Sequence, residues 1–224
     1  MDNKKATLEL GTKPVGKLLV QYALPAIIAM TASSLYNMID SIFIGQGCGP
    51  LAISGLAITF PFQNLAAAFG AGVGVGAATC ISVKLGQKDY ATAQRIFGIN
   101  ITLNLLVGIV FSIITLSFLN PILLFFGASK DTLPYAREYM EVILAGNVIQ
   151  QMFFGLNAVL RAASKPKHAM GASMLSVLLN VILAPIFIWP LGMGIRGAAW
   201  ATVISQSVAL AWQCRLFSNK NEIM

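Results

Sequence analysis

Asp40 stands where a carboxylic acid is costly. It lies near the end of the first long apolar stretch, and a carboxylate inside a bilayer-spanning helix is tolerated only if it pairs, takes up a proton or faces water. Gly45, the first residue of a turn-forming run, follows five residues later, roughly 7–8 Å along a helix. Asp40 therefore belongs to one half of the membrane rather than to its centre. Tyr36 and Asn37, four and three residues earlier, share its helical face. Two chemistries fit this pattern. Asp40 can exchange a proton, or it can be permanently hydrogen bonded and fix helix packing near the outer loop.

Other polar residues interrupt apolar segments at Asn100, Asn104, Asn147, Gln150, Asn157, Asn180, Thr202, Ser205 and Gln206. Such side chains face the interior of a helix bundle, where hydrogen bonds across helices are available. Asn180 comes late in a segment running outward and Thr202 early in one running inward, which puts both near the level of Asp40. Asn157 precedes Arg161 by one turn and falls towards the opposite face unless its helix extends. No catalytic constellation accompanies these residues. The single histidine, His168, lies in a basic loop, and no serine, cysteine or acid pair has an identifiable partner.

The elements that must position these groups follow from composition. Of 224 residues, 57% are hydrophobic and 10% charged, against roughly 25% charged in a soluble domain. The charge-free stretches predict six membrane-spanning helices, at about 15–45, 51–83, 92–119, 134–160, 168–189 and 195–216. A turn is expected at Gly45 to Pro50 and a loop beginning near Asn120-Pro121. The fold class is all-α, a polytopic bundle forming one lobe over residues 1–224.

Of the 15 basic residues, 12 fall on one side of the spans: Lys4, Lys5, Lys13 and Lys17, then Lys84, Lys88 and Arg95, then Arg161, Lys165 and Lys167, and finally Arg215 and Lys220. Lys130, Arg137 and Arg196 fall on the other. The positive-inside rule places both termini in the cytoplasm. The same arrangement excludes nucleic acid as the reason for a net charge of +7. The first segment lacks a cleavage pattern and is expected to remain as a helix. Cys48, Cys80 and Cys214 are odd in number, with no close pair, and read as small hydrophobic residues.

Gly70, Gly72, Gly74 and Gly76 form the densest glycine cluster. A dinucleotide loop is excluded because the cluster lies inside an apolar span, not between a strand and a helix. Close helix packing or bending is the expected use. Pro25, Pro61 and Pro185 fall inside helices and each removes a backbone hydrogen bond. Pro25, ahead of Asp40, is the candidate hinge.

Pro25, the run Leu-Tyr-Asn-Met-Ile-Asp-Ser-Ile-Phe-Ile-Gly ending at Gly45, and Leu-Ala-Ile-Ser-Gly-Leu-Ala from Leu51 carry a resemblance. So do Lys-Leu-Gly-Gln-Lys-Asp at 84–89, Leu-Arg-Ala-Ala-Ser-Lys-Pro from Leu160, and the pair Asn180 and Thr202. The sequence resembles, over essentially its whole length, the amino-terminal six-helix lobe of the multidrug and toxic compound extrusion (MATE) transporters. The resemblance implies two lobes flanking a cleft, of which only the first is contained in these residues. It implies efflux of cationic or amphiphilic organic compounds across a bacterial cytoplasmic membrane in exchange for H+ or Na+, with no cofactor. Asp40 then matches the proton or cation acceptor, Asn157, Asn180 and Thr202 match its polar network, Tyr36 sits beside it, and Pro25 matches the helix-one hinge. Na+ would sit at Asp40, Asn180 and Thr202. Where many bacterial members carry a second acid, one turn after the asparagine of helix five, this chain has Ala184, which puts a two-acid sodium site in doubt.

The mechanism this implies is alternating access, with protonation or cation binding at Asp40 changing its hydrogen bonds and bending the first helix. The partners implied are a small organic substrate, the bilayer, and a second six-helix lobe or another copy of the chain. A lipid-linked precursor flippase of the same superfamily and an inactive truncated fragment are the alternatives.

Overall fold

The computed structural model describes residues 14–163 and 165–218, and among them every regular element is an α-helix. Lys4, Lys5, Lys13 and Lys220 of the charge pattern lie outside the described residues. Eight helices follow in order: α1 (Val15–Cys48), α2 (Pro50–Gly86), α3 (Tyr90–Ser117), α4 (Leu119–Phe125), α5 (Leu133–Ala145), α6 (Asn147–Ala162), α7 (Pro166–Ile188) and α8 (Gly194–Ser218). Four of these, α1, α2, α3 and α7, are long and apolar enough to cross a membrane, and α5 with α6 make a fifth, bent span. Helix α8 has 25 residues and packs along α7 to complete a bundle of six rods.

The boundaries differ from expectation in three places, each for a local reason. The turn expected over Gly45 to Pro50 shrinks to Gly49 alone. Its φ of 86° is open to glycine at little cost, its N–H closes α1 on Gly45 O at 3.1 Å, and Pro50 starts α2 where no N–H is needed. The loop expected near Asn120-Pro121 holds α4 instead, because a proline in a first turn removes an amide that has no intrahelical partner anyway. Leu119 and Leu123 of this short helix are buried in the core, while Leu124 and Phe125 are exposed. The span expected at 134–160 is broken between α5 and α6, which meet at 58° around Gly146.

Gly146 shows why the break is there. A Cβ at this position would come within 2.5 Å of Val203 on α8, so only glycine lets the bent rod lie against its neighbour. A second close approach joins α2 to α6. The stripe Phe62, Ala66, Gly70, Gly74 and Ala78 recurs every fourth residue and is buried. A Cβ on Gly74 would meet Gly155 Cα at 2.6 Å, and one on Gly70 would meet Gln151 Cα at 3.0 Å. Gly72 and Gly76, on the opposite face, have open space around them. Of the four clustered glycines, two therefore serve helix contact.

Helix α3 lies against this seam through its own four-residue stripe of Asn100, Asn104, Gly108 and Ser112. Ser112 donates to Leu144 O at 2.9 Å, and Asn147 donates to Gly108 O and Ser112 Oγ, both at 3.1 Å. Its other faces present Leu106, Ile109, Val110, Ile113 and Ile114 outward. That inversion, polar or small inside and large aliphatic outside, suits a helix whose solvent is lipid. Asp89 caps α3, accepting from Thr92 N at 3.1 Å, and hydrogen bonding by the Thr92 side chain and then by its backbone amide holds its exposed carboxyl below the ordinary range.

The two kinds of glycine separate in a stability measurement. Gly74→Ala forces apart backbones already in contact and is expected to cost about 1–3 kcal/mol, while Gly72→Ala is expected to be neutral or to add up to about 1 kcal/mol from helix propensity. Thermal unfolding of the two variants in detergent checks this, and equal midpoints would refute the seam.

Candidate functional site

The end of the bundle next to the α1–α2 turn brings four side chains from three helices into hydrogen-bonding or electrostatic range. Thr202 on α8 is the hub. Its hydroxyl oxygen lies 2.9 Å from the Tyr36 hydroxyl on α1 and 3.0 Å from Asn180 Nδ2 on α7, and it donates to Ala198 O at 3.2 Å. Asn180 is the donor in its contact, and either hydroxyl can donate between Tyr36 and Thr202; with the single Thr202 proton on Ala198 O, Tyr36 donates and keeps its own oxygen free as an acceptor.

Asp40, one turn from Tyr36 on α1, is 4% exposed and within electrostatic range of the Tyr36 phenol. Its Oδ1 is buried and has no hydrogen-bond partner in the protein. A buried carboxylate oxygen left in this state carries uncompensated charge, so the site favours a proton or a bound cation on Asp40.

Tyr139 on α5 completes the cluster and was not anticipated from sequence. It is 3% exposed, and its phenol lies against Thr202 and within electrostatic range of Asp40 and Tyr36. Tyr139 falls inside the helix expected at 134–160, but its charged neighbours Arg137, Glu138 and Glu141 keep it out of the charge-free stretches. The usable signal was periodicity: Ala136, Tyr139, Met140 and Ile143 are buried at the three- and four-residue spacing of one helical face. Outside that face, Glu141 is bridged to Arg137 at 2.8 Å and to Arg196 at 3.2 Å, which ties α5 to α8 at their outer ends. Ala184, one turn after Asn180, is fully buried.

Asn157 lies elsewhere. Its Nδ2 donates to Ala169 O at 3.0 Å and Ser173 Oγ at 3.2 Å, and its Oδ1 accepts from the Arg161 guanidinium. These bonds hold α6 to α7 towards the opposite end of the lobe from Asp40. Pro25 is buried within an unbroken α1 and lines a cavity there with Asn157 and Arg161. Of the sequence-selected residues, Tyr36, Asp40, Asn180 and Thr202 thus converge, and Pro25 and Asn157 form a separate inner group.

A cleft of about 180 Å³ lies between the two groups. Tyr36, Asn180 and Thr202 form part of its wall, and Phe153, Phe154 and Ser173 border both this cleft and the inner cavity. Asp40 is not in the wall. Among the described residues no cluster of three His, Cys, Asp or Glu side chains exists to hold a transition metal. The site can therefore store charge at Asp40, report it through Tyr36 and Thr202 to α7 and α8, and hold an organic molecule beside them.

Comparison with known proteins places this arrangement among transporters. The MatE family profile matches residues 25–186. The chain is 34% identical over 208 residues to the multidrug export protein MepA of Staphylococcus haemolyticus, covering 93% of this chain and 46% of that protein. A MATE crystal structure described as in the bent conformation superposes with a TM-score of 0.84 at 30% identity, over 100% of this chain and 48% of that one. One in the straight conformation gives 0.83 at 32%, over 91% and 45%. The chain spans about half the length of the relatives it matches.

The hub predicts an unequal response to substitution. Thr202→Val removes the acceptor of two hydrogen bonds and leaves the buried Asn180 amide unpaired, an expected loss of about 1–3 kcal/mol, whereas Tyr36→Phe removes one bond and is expected to cost about 0.5–1.5 kcal/mol. In the double variant the Tyr36 effect should largely vanish. Additive losses in a double-mutant cycle would show that the two hydroxyls are not coupled.

Proposed function

The chain belongs to the MatE family, and we propose that it forms one lobe of a secondary transporter that expels amphiphilic organic compounds, cationic ones included, against entry of a coupling ion. The relatives it matches are transporters and not enzymes. The observation that carries the proposal is Asp40 itself: a buried carboxyl with an unpartnered oxygen, one turn from a tyrosine whose hydrogen bond reaches two other helices.

The coupling step runs through that tyrosine. A proton on Asp40 turns the carboxyl into a donor for which the free Tyr36 oxygen is the acceptor. Loss of the proton restores an anion that competes with Thr202 for the Tyr36 O–H. Either change alters the tie between α1 and the α7–α8 pair, and Pro25 is the hinge at which α1 bends in response. The proton is favoured over sodium because a sodium ion takes several oxygen ligands and the position one turn after Asn180 carries the methyl of Ala184, leaving Asp40 as the only buried acid among the described residues. Sodium held by Asp40, Asn180 and Thr202 is the competing reading, supported by the unpartnered Asp40 Oδ1 near this cluster, whereas Asn180 turns its amide nitrogen to Thr202.

The cleft needs a facing wall. A second six-helix lobe, or another copy of this chain, supplies it from the other side of the cleft. Both termini are cytoplasmic on the charge pattern, and the membrane is the bacterial cytoplasmic membrane. A flippase for lipid-linked precursors would need cations around a phosphate, and Arg161 is the single one lining either cavity.

Export of a fluorescent organic cation from cells tests the proposal, with the chain alone or with a second lobe, under imposed proton and sodium gradients. Gradient-driven export that Asp40→Asn abolishes is expected, with the proton gradient sufficient. Full coupled export by Asp40→Asn would sink the proposal, and export driven by sodium alone would transfer the coupling role to that ion.

A further inference from the structure

The outward face of α3 carries one charge at the head of an apolar groove. Arg95, Gly98, Ile99, Thr102 and Leu103 line this shallow groove, turned away from the buried stripe of Asn100 and Asn104. Arg95 is the last charged residue of the helix, since 96–129 contains no Asp, Glu, Lys, Arg or His. Among the described residues it makes no ion pair. The acid within its electrostatic range, Asp89, lies 3.8 Å from Lys84 Nζ and caps α3 through Thr92. With Lys84, Lys88 and Arg95 against Asp89 alone, this end of α3 keeps a net positive charge. Deeper in, Thr102 gives its hydroxyl to Gly98 O at 3.1 Å, so the groove below Arg95 is apolar. Gly98 sets its floor. A Cβ there would meet nothing within 4 Å, so no neighbouring helix requires a glycine that weakens a helix interior relative to alanine.

We infer that this face holds one anionic phospholipid of the adjoining leaflet, its phosphate on Arg95 and one acyl chain laid over Gly98. The inference rests on the reading of α3 as a membrane span. Depth agrees with it: from Arg95 to Leu106 is about 16 Å along the helix, close to one leaflet of a hydrocarbon core about 30 Å thick. Over that length and just beyond, Ile99, Leu103, Leu106 and Val110 are exposed and give the chain an aliphatic track. At its head a guanidinium presents paired N–H donors to a phosphate, while its own stem lies along apolar surface. A zwitterionic lipid brings a second cation to a place that already has an excess of them, and an anionic headgroup does not. Preference for negative charge thus comes from Arg95 and its basic neighbours, and the position of the seat from the notch at Gly98.

Native mass spectrometry of the chain in detergent micelles, titrated with dioleoylphosphatidylglycerol or dioleoylphosphatidylcholine, reads the affinity of the first lipid bound. The anionic lipid is expected to bind at least about fivefold more tightly, the gain that one base near a headgroup supplies. Arg95→Gln should remove most of that preference. Lys88→Gln and Arg215→Gln take the same charge from the same end of the lobe, where Phe217 stacks on Phe97, and should change it less than about twofold. Gly98→Leu keeps every charge but fills the notch, and should weaken both lipids about threefold or more. Its side chain enters open space, so an unchanged unfolding midpoint is expected alongside the lost affinity. No preference for the anionic lipid, equal losses in the three charge variants, or unchanged binding by Gly98→Leu would overturn the inference. The titration uses no ion gradient and involves neither Asp40 nor the cleft, so it can fail while Asp40-dependent export stands, and the reverse holds as well.

Discussion

The contact between Gly74 and Gly155 sets the positions of the other helices in the lobe. With no side chain on either residue, α2 and α6 touch backbone to backbone, and Asn104 of α3 fills the space over Gly155. Water provides no driving force between helices in a bilayer, so close packing and interhelical hydrogen bonds must hold them. Small residues on these two helices let the dispersion contacts form. The bend between α6 and α5 leaves α5 packed on α8, with Tyr139 against Thr202.

The polar hub solves a different problem on the other side of the lobe. Helix α1 packs mainly on α7, and much of its apolar surface faces outward. Near the α1–α2 turn Ile44 is buried in the core and Phe43 packs edge-on against Trp189 of the adjoining turn, and the Tyr36 bond to Thr202 adds a polar tie to α8 that does not touch the glycine seam.

Much of this was legible in the chain because lipid imposes a simple code. Charge-free stretches marked the spans, and counting depth from their ends put Asn180 and Thr202 at the level of Asp40, where they meet. The bend at Gly146 was not legible, since a lone glycine in an apolar run looks like any other until the neighbouring Val203 is known. Helix α4 was hidden because Asn120-Pro121 reads as a loop opening, yet a proline suits a first turn. Tyr139 was hidden by its charged neighbours, although the spacing of Ala136, Met140 and Ile143 marked its face. The same rule of four would have split the glycine cluster into Gly70 and Gly74, which pack, and Gly72 and Gly76, which do not. Asn157 showed the limit of residue type as a guide: its amide is consumed by Arg161, Ser173 and the α7 backbone.

The order in which the hub's members are made has a consequence for biosynthesis. Tyr36 and Thr202 are 166 residues apart. At the usual ribosomal pace of about 5–20 residues per second, the first helix exists for roughly 8–33 s before the residue that completes its polar tie has been polymerised. During that interval Asp40 has neither its tyrosine–threonine screen nor the wall of α7. A nascent helix with a lone acid near its outer end can wait by keeping that end at the headgroup level, where water is within reach, and sink to its final depth once α7 and α8 arrive.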